Sequence, residues 1–441
     1  MASSSSSSAS SISRPFKYKW IERAERLEKY CKGGYHPVEI GDVLHDGRYE
    51  IVNKLGFGGW STVWLARDSV EKRYVALKVG LAASTPNETP NETHALRALE
   101  MVAGFEAIPR LLDEFWVKGP NGSHPCFTTK PALYSLSECS DTLLFPLDVA
   151  RALAYELALA VAHVHSNGWA HGDIHLRNML IRARSNFDQL SSKQFSEKFG
   201  KPEIYPVERM DGTTLRPGVP STIVIPCATG GKSSEELILS DAFIVLNDFG
   251  EAFIPESQSR LGVDCHTPPD YRPPDTYLQP DVPLSFSADI WSLALAFWDL
   301  LGMEVMFESD FGSLDSIVAQ VVDTLGPLPD GLWEKWERKK RIEYFNDDGT
   351  PTAGRDISSK LEQRFEEAVQ EYRREEYWRK HNLGEVGIEE TGVFLDLMRR
   401  MLKVQPEERI TIDEVLQSEW MTKWAKPEYD RSRSSTARVE T

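Results

Sequence analysis

Val149 to His165 is apolar at helical spacing and breaks at Asn167-Gly168, which predicts a buried helix ending in a turn. A polar-rich octapeptide follows, His171-Gly172-Asp173-Ile174-His175-Leu176-Arg177-Asn178, and then a short apolar segment, Met179-Leu180-Ile181. A second strand-like run, Phe243-Ile244-Val245, leads into Leu246-Asn247-Asp248-Phe249-Gly250. Ahead of the helix, β-like runs occur at Tyr49-Glu50-Ile51-Val52, Tyr74 to Val79, Ile108 to Leu112 and Cys126 to Thr129. Helical spacing also marks Trp20 to Tyr30, the face carrying Ala95, Leu96 and Leu99, and the run from Ser287 to Leu301. Residues 331–380 alternate charge at helical spacing and predict solvated helices. Residues 1–13 are almost all Ser and Ala and predict disorder. The stretch 185–236 is rich in Ser, Lys, Pro and Gly and separates two runs that should be close partners. It predicts a partly disordered insert.

The length of 441 residues allows two or three domains or one large two-lobed enzyme, and 41% apolar with 27% charged residues is a globular composition. Five scattered cysteines, Cys31, Cys126, Cys139, Cys227 and Cys265, contain no Cys-x-x-Cys pair. That argues against a disulfide framework or zinc site and for a reducing compartment. No apolar run approaches membrane-spanning length. The formal net charge of −17 disfavours direct nucleic-acid binding and suits a basic peptide partner. The first twenty residues hold Arg14, Lys17 and Lys19 and no acid, but lack the arginines of a transit peptide, so a flexible tail is expected.

The chemistry sits in the loops between these elements. Asp173 and Asn178, five residues apart, suit phosphoryl transfer: a carboxylate to accept the proton of an attacking hydroxyl, a carboxamide to hold a metal ion. Asp248 would place a second carboxylate on that metal. Gly56-Phe57-Gly58-Gly59-Trp60-Ser61-Thr62-Val63-Trp64 lies between two β-like runs, and its glycines would let backbone amides close over phosphates. Lys78 follows on the alternating strand Tyr74 to Val79. Its expected partner is Glu92, with Glu88 as runner-up.

Taken together, these elements resemble the eukaryotic protein kinases. Tyr271-Arg272-Pro273-Pro274-Asp275, Ser287-Ala288-Asp289-Ile290-Trp291-Ser292 and Arg409 extend the match in kinase order over roughly residues 45–425. Finer details resemble the SR-protein kinases, namely Gly33-Gly34-Tyr35-His36-Pro37, Ser61-Thr62-Val63-Trp64, the insert, and Tyr271-Arg272. The resemblance implies an α+β, two-lobed fold with a small β-rich N-lobe and a larger helical C-lobe. It implies a tail with a short helix over 1–32, an N-lobe over 33–133, a C-lobe over 134–425 and a flexible tail over 426–441, with the hinge at Lys130-Pro131-Ala132-Leu133. It implies ATP and Mg2+: ATP bound by Leu55, Gly56, Phe57, Gly58, Gly59, Trp60, Ser61, Thr62, Val63, Ala76, Lys78 and Glu92, and metal by Asn178 and Asp248. Asp173 would be the catalytic base, Asp289 would clamp the catalytic loop, and Asp275 would pair with Arg409. A monomeric serine/threonine kinase of the cytoplasm or nucleus is expected, acting on basic, Arg/Ser-rich protein segments.

Three positions depart from the kinase pattern. Gly172 stands where many kinases carry an Arg that reads a phosphorylated activation loop. His175 replaces a Lys on the γ-phosphate, and Arg177 is the candidate replacement cation. Pro268 replaces the Thr expected before Tyr271, with Thr267 one residue early. Two other readings stay open: a pseudokinase, and a small-molecule phosphotransferase related to aminoglycoside and choline kinases.

Overall fold

The computed structural model describes residues 16–85, 90–100, 106–139, 144–182, 188–227, 231–309, 312–375 and 383–437. The chain divides into two units, one of residues 1–88, 113–128 and 187–228, the other of 89–112, 129–186 and 229–441.

The first unit is built on a six-stranded sheet ordered β1-β2-β3-β4-β6-β5. These strands are Val43–Leu44, Tyr49–Phe57, Ser61–Asp68, Arg73–Gly80, Asp113–Gly119 (β5) and Gly122–Thr129 (β6). Tyr49, Ile51, Trp64, Tyr74, Val75, Leu77 and Val79 are buried in it, each worth about 1.5–3 kcal/mol of transfer from water. β2 and β3 form the glycine-rich hairpin, where the Gly58 amide donates to the Ser61 carbonyl at 2.9 Å. The strand expected at 108–112 starts instead at Asp113. Pro109, with no amide hydrogen, is ill suited to a ladder.

The polar insert and the N-terminal tail both depart from expectation. Over 187–228 the insert belongs to the first unit rather than to the C-lobe. It contains a helix, Ser192–Phe199, and a hairpin of Glu203–Pro206 with Thr222–Ile225. Some of its large apolar residues are buried: Phe195 packs on Tyr74, ring centroids 5.2 Å apart. Val207 and Ile223 share a core with Tyr18, Leu27, Tyr30 and Tyr35. The described part of the tail is therefore packed. The helical spacing of Trp20 to Tyr30 yields a 3-10 turn at Leu27–Lys29. Nearby backbone groups pair instead with the insert, Lys19 N–H to the Glu208 carbonyl at 2.9 Å and Met210 N–H to the Lys17 carbonyl at 3.0 Å.

The second unit has a three-stranded sheet with Met179–Arg182 in the middle, flanked by Ala132–Ser135 and Ile244–Leu246. Its main helices are Leu147–Ser166, Phe286–Leu301, Leu314–Leu325, Ile388–Met401 and Lys426–Ala437. The helix Asn91–Ala98, expected within the 33–133 lobe, also belongs here. Its Asn91 side chain donates to the Ala252 carbonyl at 2.6 Å, and His94 packs edge-on against Trp169. Segment 331–380 is not simply a set of solvated helices, because Trp336 and Phe345 are buried with Val318, Leu328 and Leu332. The expected 426–441 tail is helical over Lys426–Ala437. Arg433 of that helix lies over the Phe243 ring at 3.8 Å and pairs with buried Glu156 at 2.5 Å. A buried carboxylate needs such partners, and Arg182 at 3.3 Å is another.

Candidate active site

The catalytic loop takes its shape from the helix Phe286–Leu301. Asp289 of that helix is buried and accepts the amides of His171 (2.7 Å) and Gly172 (2.8 Å) and the His165 ring nitrogen (2.9 Å). Burial alone would push its carboxyl up; the His165 ring and the loop amides outweigh that and hold it below the usual value. Gly172 has φ +77°, and a Cβ there would lie 2.6 Å from the Glu251 carbonyl oxygen. The departure at this position is thus demanded by the backbone, which leaves no space for a side chain. Thr267, one residue from its expected place, donates its hydroxyl to the Gly172 carbonyl at 2.7 Å.

Asp173 emerges from this clamped turn. The Asn178 carboxamide nitrogen donates to the Asp173 carbonyl (2.9 Å) and to its carboxylate Oδ2 (3.0 Å). The other oxygen, Oδ1, is buried and accepts no hydrogen bond among the described residues, with His175 Nε2 standing 3.3 Å away. His175 is itself buried, its ring 5.6 Å from that of Tyr271, while Arg177 is exposed. Tyr271 donates its hydroxyl to Asp299 at 2.5 Å. Burial pushes the Asp299 carboxyl up to about 7.

Sheet register brings the metal-ligand candidates together. Leu246 lies opposite Met179, and the Asn247 amide donates to the Asn178 carbonyl at 2.8 Å. Asn178 and Asp248 therefore leave the same end of neighbouring antiparallel strands. Asp248 adopts a left-handed backbone, φ +63°, and caps the turn that follows by accepting the Gly250 amide. Phe249 is buried against His171. Carboxylate and carboxamide oxygens are hard donors of the kind Mg2+ takes, so this set fits that ion. Further along, Arg409 reaches the Asp275 carboxylate and the carbonyls of Lys403 and Ser287, and lies over the Trp291 ring. Glu251 is held by Arg260 and His266, a bracing that had no recognisable spacing in sequence.

The nucleotide candidates divide between the units. In the first, a Cβ at Gly56, Gly58 or Gly59 would meet nothing within 4 Å, so the hairpin backbone faces open space. Phe57 and Trp60 are exposed. Ser61 and Thr62 are buried, and Thr62 accepts the Trp64 indole N–H at 2.9 Å. Leu55, Val63, Ala76 and Lys78 are half-buried, and Val63 pairs with Lys78 and Leu65 with Ala76 across the ladder. The Lys78 ammonium stands 5.8 Å from the centre of the Phe127 ring. Glu92 is half-buried on its helix in the second unit, and Glu88 lies outside the described residues.

Residues 232–421 match the protein kinase domain family. A serine/threonine protein kinase of Aspergillus fumigatus is 28% identical over 90% of each chain, and the kinase SRPK of Physarum polycephalum is 28% identical over 74% of this chain and 77% of its own. Human SRSF protein kinase 3 is 35% identical over 36% of this chain and 30% of its own length. These comparisons support a protein kinase similar to the SR-protein kinases. Among solved structures, the crystal structure of a kinase domain shares the fold, with a TM-score of 0.56 at 17% identity, covering 88% of this chain and 98% of that one. The kinase acts on serine or threonine hydroxyls of proteins, and its domain family uses ATP with Mg2+.

Proposed function

We propose that Asp173 is the base of this kinase, that Asn178 and Asp248 hold Mg2+, and that the substrate is a basic, Arg/Ser-rich protein segment. The observation that carries the reading is the Asp173 carboxylate: one oxygen tied to Asn178, the other buried beside His175 with no hydrogen bond among the described residues. An acceptor left in that state suits the proton of an incoming hydroxyl. In this reading Gly56 to Val63 offers backbone amides to the phosphates, and Lys78 neutralises them. Bound Mg2+ supplies charge neutralisation on the phosphates. Asp289 keeps Asp173 aimed, and Arg177, exposed two residues beyond buried His175, supplies the cation for the γ-phosphate. The net charge of −17 favours capture of a cationic substrate, and a monomer working in cytoplasm or nucleus is consistent with that partner. The test is labelled phosphate transfer from ATP to an Arg-Ser repeat peptide, a neutral Ser peptide and choline. Label on the first peptide in large excess is expected. Label on choline would favour the small-molecule reading, and no label anywhere the pseudokinase.

A further inference from the structure

The chain ahead of β1 reaches the tip of the glycine-rich hairpin. Lys29 Nζ donates to the Gly59 carbonyl at 2.7 Å, and the Tyr35 hydroxyl donates to the Gly58 carbonyl at 2.6 Å. These are consecutive carbonyls in the turn between β2 and β3. The two donors are themselves held together, because Lys29 lies over the Tyr35 ring at 5.5 Å, and Tyr35 packs against Tyr30 with ring centroids 5.4 Å apart. Burial raises the Tyr35 hydroxyl to about 12, so it stays protonated and keeps donating.

Behind these contacts lies a buried polar group of three. Glu25 and Lys54 are both buried and form an ion pair, and the Tyr30 hydroxyl donates to Glu25 at 2.5 Å. Lys54 belongs to β2, the strand that leads into the hairpin. Its ammonium also sits 5.3 Å from the Phe57 and Trp64 rings. The insert closes the arrangement. Val207 and Ile223 complete the core around Leu27, Tyr30 and Tyr35, and Cys227 N–H donates to the Lys54 carbonyl at 2.8 Å. Backbone carbonyls tied from their own side leave the hairpin's amides to adopt one arrangement, which lowers the ordering cost of binding phosphates.

We infer that Lys29 and Tyr35 are positioning residues for nucleotide binding: residues 25–35, seated on the insert, hold the glycine-rich hairpin ready for phosphates. The inference rests on the reading of Gly56 to Val63 as the phosphate loop. It gives residues 187–228 a role as the platform for that brace.

The test uses the full chain with Lys29→Met, Tyr35→Phe and the double variant. Each single change removes one hydrogen bond to a carbonyl. The KM for ATP is expected to rise about two- to tenfold per variant, with kcat and the KM for the protein substrate little changed. Amide exchange of Gly58 to Ser61, measured without nucleotide, is expected to speed up by a similar factor. Lys29→Arg should restore both. A fall in global stability with unchanged ATP KM and unchanged hairpin exchange would reduce the contacts to packing and overturn the inference. Faster exchange without any change in ATP affinity would also overturn it, and would count against the phosphate-loop reading too. If the wild-type chain transfers no phosphate, the exchange measurement together with ATP binding by titration still decides between these outcomes.

Discussion

The glycine-rich hairpin and the catalytic loop are both turns fixed by side chains from elsewhere in their own unit, but the chemistry differs. The hairpin is held through its carbonyls by a lysine and a tyrosine, Lys29 being only half-buried. The catalytic loop is held through its amides by one buried carboxylate, Asp289, which a histidine also engages. Removing one hydrogen bond at a half-exposed site costs about 1 kcal/mol, whereas removing a buried charge strands its partners. One loop is therefore tuned and the other locked. On the proposed reading, a loop that opens for nucleotide exchange suits weak ties, and a base that must hold its angle suits strong ones.

The largest effect is expected at the locked site. Asp173→Asn should lower kcat by about 10²–10⁴ while ATP binding, followed by titration, stays near wild type. Normal turnover would remove Asp173 from the chemistry. Next, Asp289→Ala should destabilise the second unit by about 3–5 kcal/mol in denaturant unfolding. Lys29→Met should cost the first unit well under half of that; equal losses would erase the contrast between the two loops. Third, Arg177→Ala should reduce kcat on the order of 10²-fold, far more than His175→Ala. Small and equal effects would refute the replacement of the missing lysine by Arg177.

The smallest effects are in pH, and they should have opposite signs in the two units. In the first, His36 and His124 are buried side by side, ring centroids 4.9 Å apart. Burial lowers His36 to about 4, with His124 adding to the shift, and lowers His124 as well. A histidine lowered on folding contributes stability above its unfolded pKa of about 6.5 that is lost as pH falls through about 4. In the second unit, Asp299 is raised to about 7 by burial. A carboxyl raised on folding contributes stability at acid pH that is lost as pH rises through about 7. Site-resolved amide exchange should show the first unit loosening as pH falls from about 6.5 to 4 and the second as pH rises from about 4 to 7. His36→Gln and Asp299→Asn should flatten the respective slopes, and parallel trends in both units would contradict these assignments.

The strands and helices with strong periodicity were legible from the chain alone. Tyr49 to Val52, Tyr74 to Val79, Val149 to His165 and Ser287 to Leu301 all lie within elements of the expected type. Asp289 could be singled out because a carboxylate inside an apolar helix must find partners. His165 and Thr267 could not, since a histidine ending a helix and a threonine in a loop have many uses. Nor could Lys29 and Tyr35, whose targets are backbone carbonyls with no sequence signature.

Local pattern and residue chemistry determined the elements, the order of the loops and the groups fit for phosphoryl transfer, because periodicity and side-chain type are properties of short segments. Tertiary structure decided which segments are buried. Residues 16–32, 188–227 and 426–434 read as polar or tail-like, yet Tyr30, Phe195 and Ser432 within them are buried. A few well-placed contacts between residues far apart in sequence outweigh the average polarity of a segment, and that average is what a window along the chain reports.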